Sequence, residues 1–389
     1  MTTPNDAERP LAEQNRDEPS PSASAAPLER AVRLEKVFSK RALAIFVGLL
    51  VLSCVSVPFL NTAVPAGSAL NVPDYLVTLL GKFFCYATVA VAMDLLWGYC
   101  GILSLGHGVF FALGGYAMGM YLMLSIGQSG VYRSNLPDFM VFLDWKELPW
   151  FWRPFDSFFF AIVAALAVPG ILAYVFGFFA FRSRIRGVYF SIITQALTFA
   201  LMLLFFRNET GLGGNNGLTD YKHIHGYPLA APGTRLGLYV LSAAGLFAAF
   251  AVSRFVITSK AGRVLRAVRD EESRVMFAGY DPTNFKVFVY TLSAVICGFA
   301  GMLYVPQVGI INPSELQPSN SIEMAIWVAV GGRGTLIGAP LGAFLVNGMK
   351  SWFTVALPEL WLYLLGILFV SVTLFFPQGV IGLVSKVRR

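Results

Sequence analysis

Four ionisable side chains fall inside long apolar runs of this sequence: Lys82, Asp94, His107 and Glu323. If those runs cross a membrane, a charge at their centre costs about 2.5–3.5 kcal/mol on insertion scales, so each is a candidate for function. Asp94 and Glu323 lie near the ends of their runs, where a side chain can reach the membrane surface. Lys82 and Asp94 are twelve residues apart, about 18 Å along a helix, which is too far for an ion pair. The four residues therefore do not form the buried acidic relay that an ion-coupled carrier needs.

The sequence contains few of the residues and motifs that enzymes use for catalysis. The chain has three histidines, at 107, 223 and 225, and two ligands from an H-x-H pair fall short of the three or four that a zinc site usually needs. No H-E-x-x-H, G-x-S-x-G or G-x-x-x-x-G-K-[ST] motif is present, and the glycine-rich stretch at 210–218 lacks the lysine of a phosphate loop. We therefore predict that the chain is not an enzyme, and any ATP hydrolysis linked to it belongs to a separate chain. A membrane metalloenzyme is the remote alternative.

Composition places the chain in the membrane. Of its 389 residues 56% are hydrophobic and only 13% charged, with a mean hydropathy of +0.64, whereas soluble domains carry about 25% charge. Runs of eighteen or more nearly uncharged residues recur along it, and about twenty helical residues cross a hydrocarbon core. In a membrane protein the net charge of +7 reflects the placement of basic residues and does not indicate nucleic-acid binding. The four cysteines lie in or beside apolar runs and are interpreted as small apolar residues.

The apolar runs predict an all-α polytopic protein with about ten transmembrane helices, some of them short or broken. The predicted spans are 42–60, 75–96, 102–125, 157–181, 187–206, 236–257, 285–305, a short segment at 321–332, 335–353 and 358–378. With both termini in the cytoplasm, 21 of the 29 basic residues lie on the cytoplasmic side, as the positive-inside rule requires. Residues 1–41 are polar and rich in Ser, Pro and charge, which predicts a disordered cytoplasmic tail. The predicted membrane domain then covers 42–380, and 381–389 form a short cytoplasmic tail.

The longest cytoplasmic connection, 259–286, carries ten charges between two apolar runs. From Gly262 to Met276 it contains good helix formers, and Arg266, Asp270 and Arg274 repeat at a spacing of four. Gly279 and Pro282 mark its end. We predict one rigid helix over about 260–280, with a charged face and with apolar contacts from Val264, Val268, Val275 and Met276. A membrane-surface helix attracted to anionic lipid is the alternative, although it leaves the interleaved acids unexplained.

Two segments break the helical pattern with glycine, 98–119 with seven glycines and 331–344 after a short apolar piece. Irregular backbone at membrane depth survives only where protein or a water-filled cavity shields it, so such segments indicate a transport path. Close packing of small residues between ordinary helices is the alternative. The predicted path residues are Ser104, His107, Thr194, Gln195, Gly331 and Gly332.

Several blocks in fixed order, over roughly 75–380, resemble the permease subunits of ABC importers for branched-chain amino acids and urea. They are GYCGILSLGHGVFFALGGYAMG (98–119), RGVYFSIITQALTFA (186–200), GLGGNNGLTD (211–220), the charged stretch with the run that follows it (259–304), and AVGGRGTLIGAPLGA (329–343). The combination of SIITQAL with GGNNGLTD is more similar to the urea branch, and urea, being small and neutral, would need only a weakly polar passage.

The resemblance implies a type II-like importer permease in a bacterial inner membrane. Its implied partners are a second permease in a heterodimer, two cytoplasmic ATPases that bind ATP and Mg, a periplasmic binding protein and membrane lipid. Neither a cofactor in this chain nor a nucleic-acid partner is expected. The charged helix would be the coupling helix that contacts an ATPase, through Gly262, Arg266, Arg269, Asp270, Glu271, Arg274 and Gly279. The expected cargo is urea or a short amide; the alternatives are branched-chain amino acids, or a passive solute channel without an ATPase.

Overall fold

The computed structural model describes residues 40–360 except 66, 69 and 186, together with scattered positions between 363 and 382. The chain divides into two compact units, 1–46 and 47–389. Of the first unit, only 40–46 are described, as the beginning of the first helix. Most of the predicted tail at 1–41, and residues 383–389 of the predicted C-terminal tail, lie outside the described residues, so both tails stay predictions.

The described part of the chain is mostly helical. Its α-helices are α1 (Lys40–Thr62), α2 (Asp74–Cys100), α3 (His107–Leu124), α4 (Asp138–Phe142), α5 (Phe158–Arg182), α6 (Val188–Phe206), α7 (Pro232–Thr258), α8 (Lys260–Asp270), α9 (Glu272–Phe277), α10 (Pro282–Val308), α11 (Pro318–Gly331) and α12 (Gly338–Ala356). Five 3-10 turns lie between them, at Gly127–Ser129, Arg153–Asp156, Asn208–Thr210, Gly214–Asn216 and Pro313–Leu316.

Seven of these helices are long and apolar enough to cross a membrane, and they correspond to the first seven predicted spans. They are α1, α2, α3, α5, α6, α7 and α10. The short segment predicted at 321–332 is the 14-residue α11, and the next predicted span is α12. The span predicted at 358–378 lies largely outside the described residues. The number of about ten crossings therefore stays a prediction.

The ends of the long helices follow local sequence signals. The Asp281 side chain accepts a hydrogen bond from the backbone N–H of Thr283 (2.9 Å), and Pro282 occupies the first position of α10. The same helix ends at Gly309, and α2 ends at Gly101, both with positive φ. These caps stop the helices where the chain must turn back.

The core forms around α10, which packs against α3, α5 and α2. Glycine allows the closest approach: a Cβ at Gly114 of α3 would overlap the backbone carbonyl of Gly298 in α10. This close packing of small residues is typical of membrane helices. At the other extreme, α1 exposes Leu52, Val55 and Phe59, as expected for a helix that faces lipid.

Two short antiparallel ribbons lie among the described residues. Strand β1 (Leu218–Thr219) pairs with β4 (Ile310–Ile311), with Leu218 opposite Ile311, and β2 (His223–Ile224) pairs with β3 (Tyr227–Pro228). Gly217 precedes β1 with φ +69°, and a side chain there would overlap Ile311. The GGNNGLTD block therefore attaches the connection before α7 to the end of α10.

Candidate functional site

The charged stretch folds as two helices, α8 and α9, so the prediction of one continuous helix is wrong. Ser259 begins α8 by accepting a hydrogen bond from the N–H of Gly262 (3.4 Å), and Glu271 interrupts it with extended backbone at φ −159° and ψ 93°. The interruption places Arg274 on α9, apart from Arg266 and Asp270. The predicted face with a spacing of four therefore does not form.

One side of the two helices is packed and the other is open. Leu265, Val268 and Val275 are buried against the rest of the protein. Val268 and Val275 were predicted to supply apolar contacts to a partner. Both face the protein interior instead and pack their helices against it.

The open side keeps an apolar patch. Met276, Phe277 and Tyr280 are 45%, 91% and 53% exposed, and Arg263 of α8 and Arg274 of α9 are exposed as well. We call these five residues the docking face. A phenylalanine this exposed at the end of a polar helix gains nothing from its own chain, and a partner surface would bury it.

Arg269 connects α8 to the end of α2. Its Nη1 donates a hydrogen bond to the backbone carbonyl of Gly98 (2.8 Å), and its Nη2 lies 2.9 Å from an oxygen of Asp270. A Cβ at Gly101 would lie 2.8 Å from the Arg269 side chain, so this end of α2 needs glycine. Arg269 was predicted as a coupling residue, and it acts here within the chain.

Glu272 connects α9 to α10, a contact that the sequence analysis missed. Its carboxylate lies 2.6 Å from Nζ of Lys286, and the two side chains are only 19% and 10% exposed. A shielded pair of this kind holds its elements more firmly than a surface pair, because removing one partner leaves a buried charge. The two helices are therefore fastened to the membrane domain at both α2 and α10.

Asp94 connects the same end of α2 to the glycine-rich turn between α11 and α12. Its two carboxyl oxygens accept hydrogen bonds from the backbone N–H groups of Gly334 (2.6 Å) and Leu336 (2.9 Å). The side chain is fully buried, so the prediction that it could reach the membrane surface from near the end of its run is wrong. Arg333 in this turn places its guanidinium 4.8 Å from the ring of Trp97. Gly334 and Leu336 lie between two helices, so their backbone N–H groups make no intrahelical hydrogen bond, and Asp94 supplies the acceptors instead.

Gly98 lies where the Arg269 and Asp94 contacts meet, and we expect alanine there to be harmful. Its Cβ would lie 2.6 Å from the backbone nitrogen of Gly334, and overpacking of this kind costs about 1–3 kcal/mol. Gly98→Ala should lower the thermal unfolding temperature of the detergent-solubilised protein. Gly237→Ala is the matched control, because a Cβ there meets nothing within 4 Å. Equal unfolding temperatures for the two variants would contradict the packing described here.

Ser104, His107 and Thr194, three of the predicted path residues, are fully buried and hydrogen-bonded. Thr194 Oγ1 accepts from the N–H of Leu105 (3.0 Å), and the Nε2 of His107 lies 2.8 Å from Oγ of Ser293. Ser104 Oγ accepts from the N–H of Gly106. These bonds join α3 and the segment before it to α6 and α10. Their part in a transport path stays a prediction.

The remaining predicted residues lie on several different elements. Gln195 is half-buried on α6, and Gly331 and Gly332 lie at the end of α11, where a Cβ at Gly331 would overlap Gly338. Arg266 is half-buried on α8, and Glu271 accepts a hydrogen bond from the hydroxyl of Ser273 (2.9 Å). Gly279 follows α9 with φ +84° and open space around it.

No group of three or more His, Cys, Asp or Glu side chains is placed to hold a metal ion within the described part of the chain. The four cysteines are free. The His223 and His225 pair lies in the β2–β3 ribbon and its turn.

Residues 75–373 match the family model described as branched-chain amino acid transport system / permease component. The chain is 22% identical over 318 residues to the high-affinity branched-chain amino acid transport system permease protein LivM of Salmonella typhimurium, covering 76% of this chain and 67% of that one. LivM of Escherichia coli K12 is 22% identical with the same coverage of each chain. The ribose import permease protein RbsC of Escherichia coli K12 is 22% identical over 49% of this chain and 60% of its own. No solved structure gives a significant match.

Proposed function

Because this chain belongs to the permease component family of branched-chain amino acid transport systems, we propose that it is the membrane-spanning subunit of an ATP-driven importer of branched-chain amino acids. The observation that carries this proposal is the docking face, an exposed apolar and basic surface fastened from behind to two membrane helices. A second permease would complete the pore, two ATPases would supply the work, and a periplasmic binding protein would deliver the amino acid. Both termini would lie in the cytoplasm.

The contacts behind the docking face support transmission of a movement. A displacement of α8 reaches α2 through Arg269, and a displacement of α9 reaches α10 through the Glu272 pair. From α2 the contact continues through Asp94 to the turn between α11 and α12. Packed helices joined by hydrogen bonds move as connected bodies. Rigid-body movement of one helical bundle against another is how many membrane transporters achieve alternating access.

The docking face would have no role in a passive channel. A channel has no partner protein that would bury an exposed apolar patch such as Met276, Phe277 and Tyr280. The sequence itself contains no phosphate-loop motif, so ATP and Mg would bind to the partner ATPases.

The substrate proposed here is a branched-chain amino acid, in place of the urea expected from the sequence. The two LivM relatives are named for branched-chain amino acids. The blocks that resemble the urea branch make packing contacts: Thr194 holds the segment before α3, and Gly217 closes onto Ile311. Contacts between helices and connections carry no information about a small neutral cargo.

Uptake of labelled leucine and labelled urea by cells that lack only this gene tests the proposal. We expect leucine uptake to fall to background, to return when the gene is restored, and urea uptake to stay unchanged. The control is restoration with a chain that carries Phe277→Asp, which should insert in the membrane without restoring uptake. A selective loss of urea uptake, or leucine uptake that does not depend on the gene, would contradict the proposal.

A further inference from the structure

Four charged residues lie together at the end of the membrane domain opposite α8 and α9: Lys82 in α2, Glu315 before α11, Glu323 in α11 and Lys350 in α12. We call them the four-charge cluster. Glu323 and Lys350 form an ion pair at 2.8 Å, and Glu323 is 9% exposed. Lys82 lies eight residues inside α2, which is about 12 Å along the helix from its first residue. Placing a charged lysine at that depth in a membrane helix costs free energy, so Lys82 is a candidate functional residue.

Lys82 and Glu315 do not form an ion pair with any described residue, although both lie close to the side chain of Tyr304. The ammonium of Lys82 lies 5.4 Å from the ring centre of Tyr86 and 5.8 Å from that of Tyr304. The hydroxyl of Tyr304 donates a hydrogen bond to Glu315 (3.1 Å). Burial raises the pKa of the Glu315 carboxyl, and the charge of Lys82 opposes that rise. Lys82 and Glu315 thus lie close to the same aromatic side chain, that of Tyr304, without forming an ion pair with each other.

The aromatic side chains form an apolar wall beside these charges. The ring of Tyr86 packs against Trp327 (4.9 Å between ring centres) and Tyr304 (5.7 Å), and Phe111 packs against Tyr304 (5.0 Å). Such a wall suits a cation above it and an aliphatic side chain against it.

Two buried polar atoms in the same region lack a hydrogen-bond partner among the described residues. One is the indole N–H of Trp327, a residue only 3% exposed, and the other is the side-chain carbonyl oxygen of Gln307, a residue 6% exposed. Gln307 lies against Gly81, next to Lys82. Buried polar atoms are nearly always bonded, so an unpaired donor and an unpaired acceptor beside separated charges match a ligand that offers both.

We propose that Lys82 and Glu315 bind the carboxylate and the ammonium group of a zwitterionic amino acid, with the aromatic wall against its side chain. This inference rests on the proposed function and adds a substrate site within the permease itself. A ligand with both charges would give Lys82 and Glu315 each a direct partner of opposite charge, which an uncharged amide or sugar would not. The Glu323–Lys350 pair positions α11 and α12 around the site.

The test uses the complete transporter in proteoliposomes, with binding protein and ATP, and compares Lys82→Met and Glu315→Gln with the unchanged protein. We expect each variant to lower leucine uptake by about tenfold or more, the effect of losing one charge-assisted contact. ATP hydrolysis stimulated by the binding protein, assembly of the complex and thermal unfolding temperature should stay as in the unchanged protein. Lys222→Met, at an exposed lysine of a loop at the same end, is the matched control and should transport normally.

The outcomes separate this site from the proposed function. If the unchanged transporter moves no leucine, the proposed function fails. If it moves leucine and both variants remain within about twofold of it, the site is overturned while the function stands. A loss of uptake that comes with an equal loss of assembly or thermal stability assigns the cluster to helix packing and also overturns the site.

Discussion

Replacing Phe277 with aspartate should abolish ATP-driven uptake while leaving the permease folded. Phe277 is 91% exposed and belongs to the docking face, so its own chain loses little packing when the ring is removed. In an interface the ring would be buried by the ATPase, and an unpaired carboxylate placed there would cost more than the lost contact area. The measurement is uptake by the reconstituted transporter, together with the amount of ATPase that co-purifies with the permease.

Val131→Asp is the matched control for this prediction. Val131 is 83% exposed in the connection between α3 and α4, at the opposite end of the helices. It introduces the same charge at a similarly exposed position and should leave uptake and ATPase recovery unchanged. If the Phe277 variant recovers as much ATPase as the control and transports normally, the docking face does not bind the ATPase.

The sequence was sufficient to predict the helices because their signals are local. Hydrophobic runs predicted the seven long spans to within a few residues, and Gly101, Pro282 and Gly309 end or begin helices where glycine and proline are expected to do so. Both glycine-rich segments proved to be helix interruptions, before His107 and after Gly331. A local rule was sufficient at each of these positions.

The break at Glu271 could not be predicted in this way. Residues 262–276 contain good helix formers, and intrinsic propensity favours one continuous helix. Tertiary contacts override it: Arg269 is drawn to the end of α2, and Glu272 is drawn to Lys286 on α10. The extended backbone of Glu271 lies between these two anchored residues. Nothing in a single sequence shows where those partners will lie.

The sequence was sufficient to predict the regions that contain the candidate sites, but not the individual residues that form them. The charged stretch was singled out, yet its most exposed apolar residue, Phe277, was not among the residues predicted there. Lys82 was recognised as unusual, but Glu315 lies 233 positions away and Tyr304 is one aromatic among many. Only the fold brings them together.

Asp94 is the position where we expect the largest effect on the permease itself. Asp94→Ala removes two acceptors at once and leaves the N–H groups of Gly334 and Leu336 buried without a partner. Each such loss costs about 1–3 kcal/mol, and together they approach the net stability of many domains. We expect little protein in the membrane, a thermal unfolding temperature lowered by about 5 °C or more in what remains, and no uptake.

Asp94→Asn tests whether the two bonds act as a pair. Asparagine is nearly isosteric and keeps one acceptor oxygen, but its amide N–H₂ would face a backbone donor, so one bond survives and the other becomes a repulsion. The unfolding temperature of this variant should fall between those of the alanine variant and the unchanged protein. Glu147→Ala removes the same charge from an exposed loop position and should behave as the unchanged protein does. If the asparagine variant folds and transports normally, one bond is sufficient to hold the turn, and the contact from α2 to α11 and α12 depends on packing around Gly98.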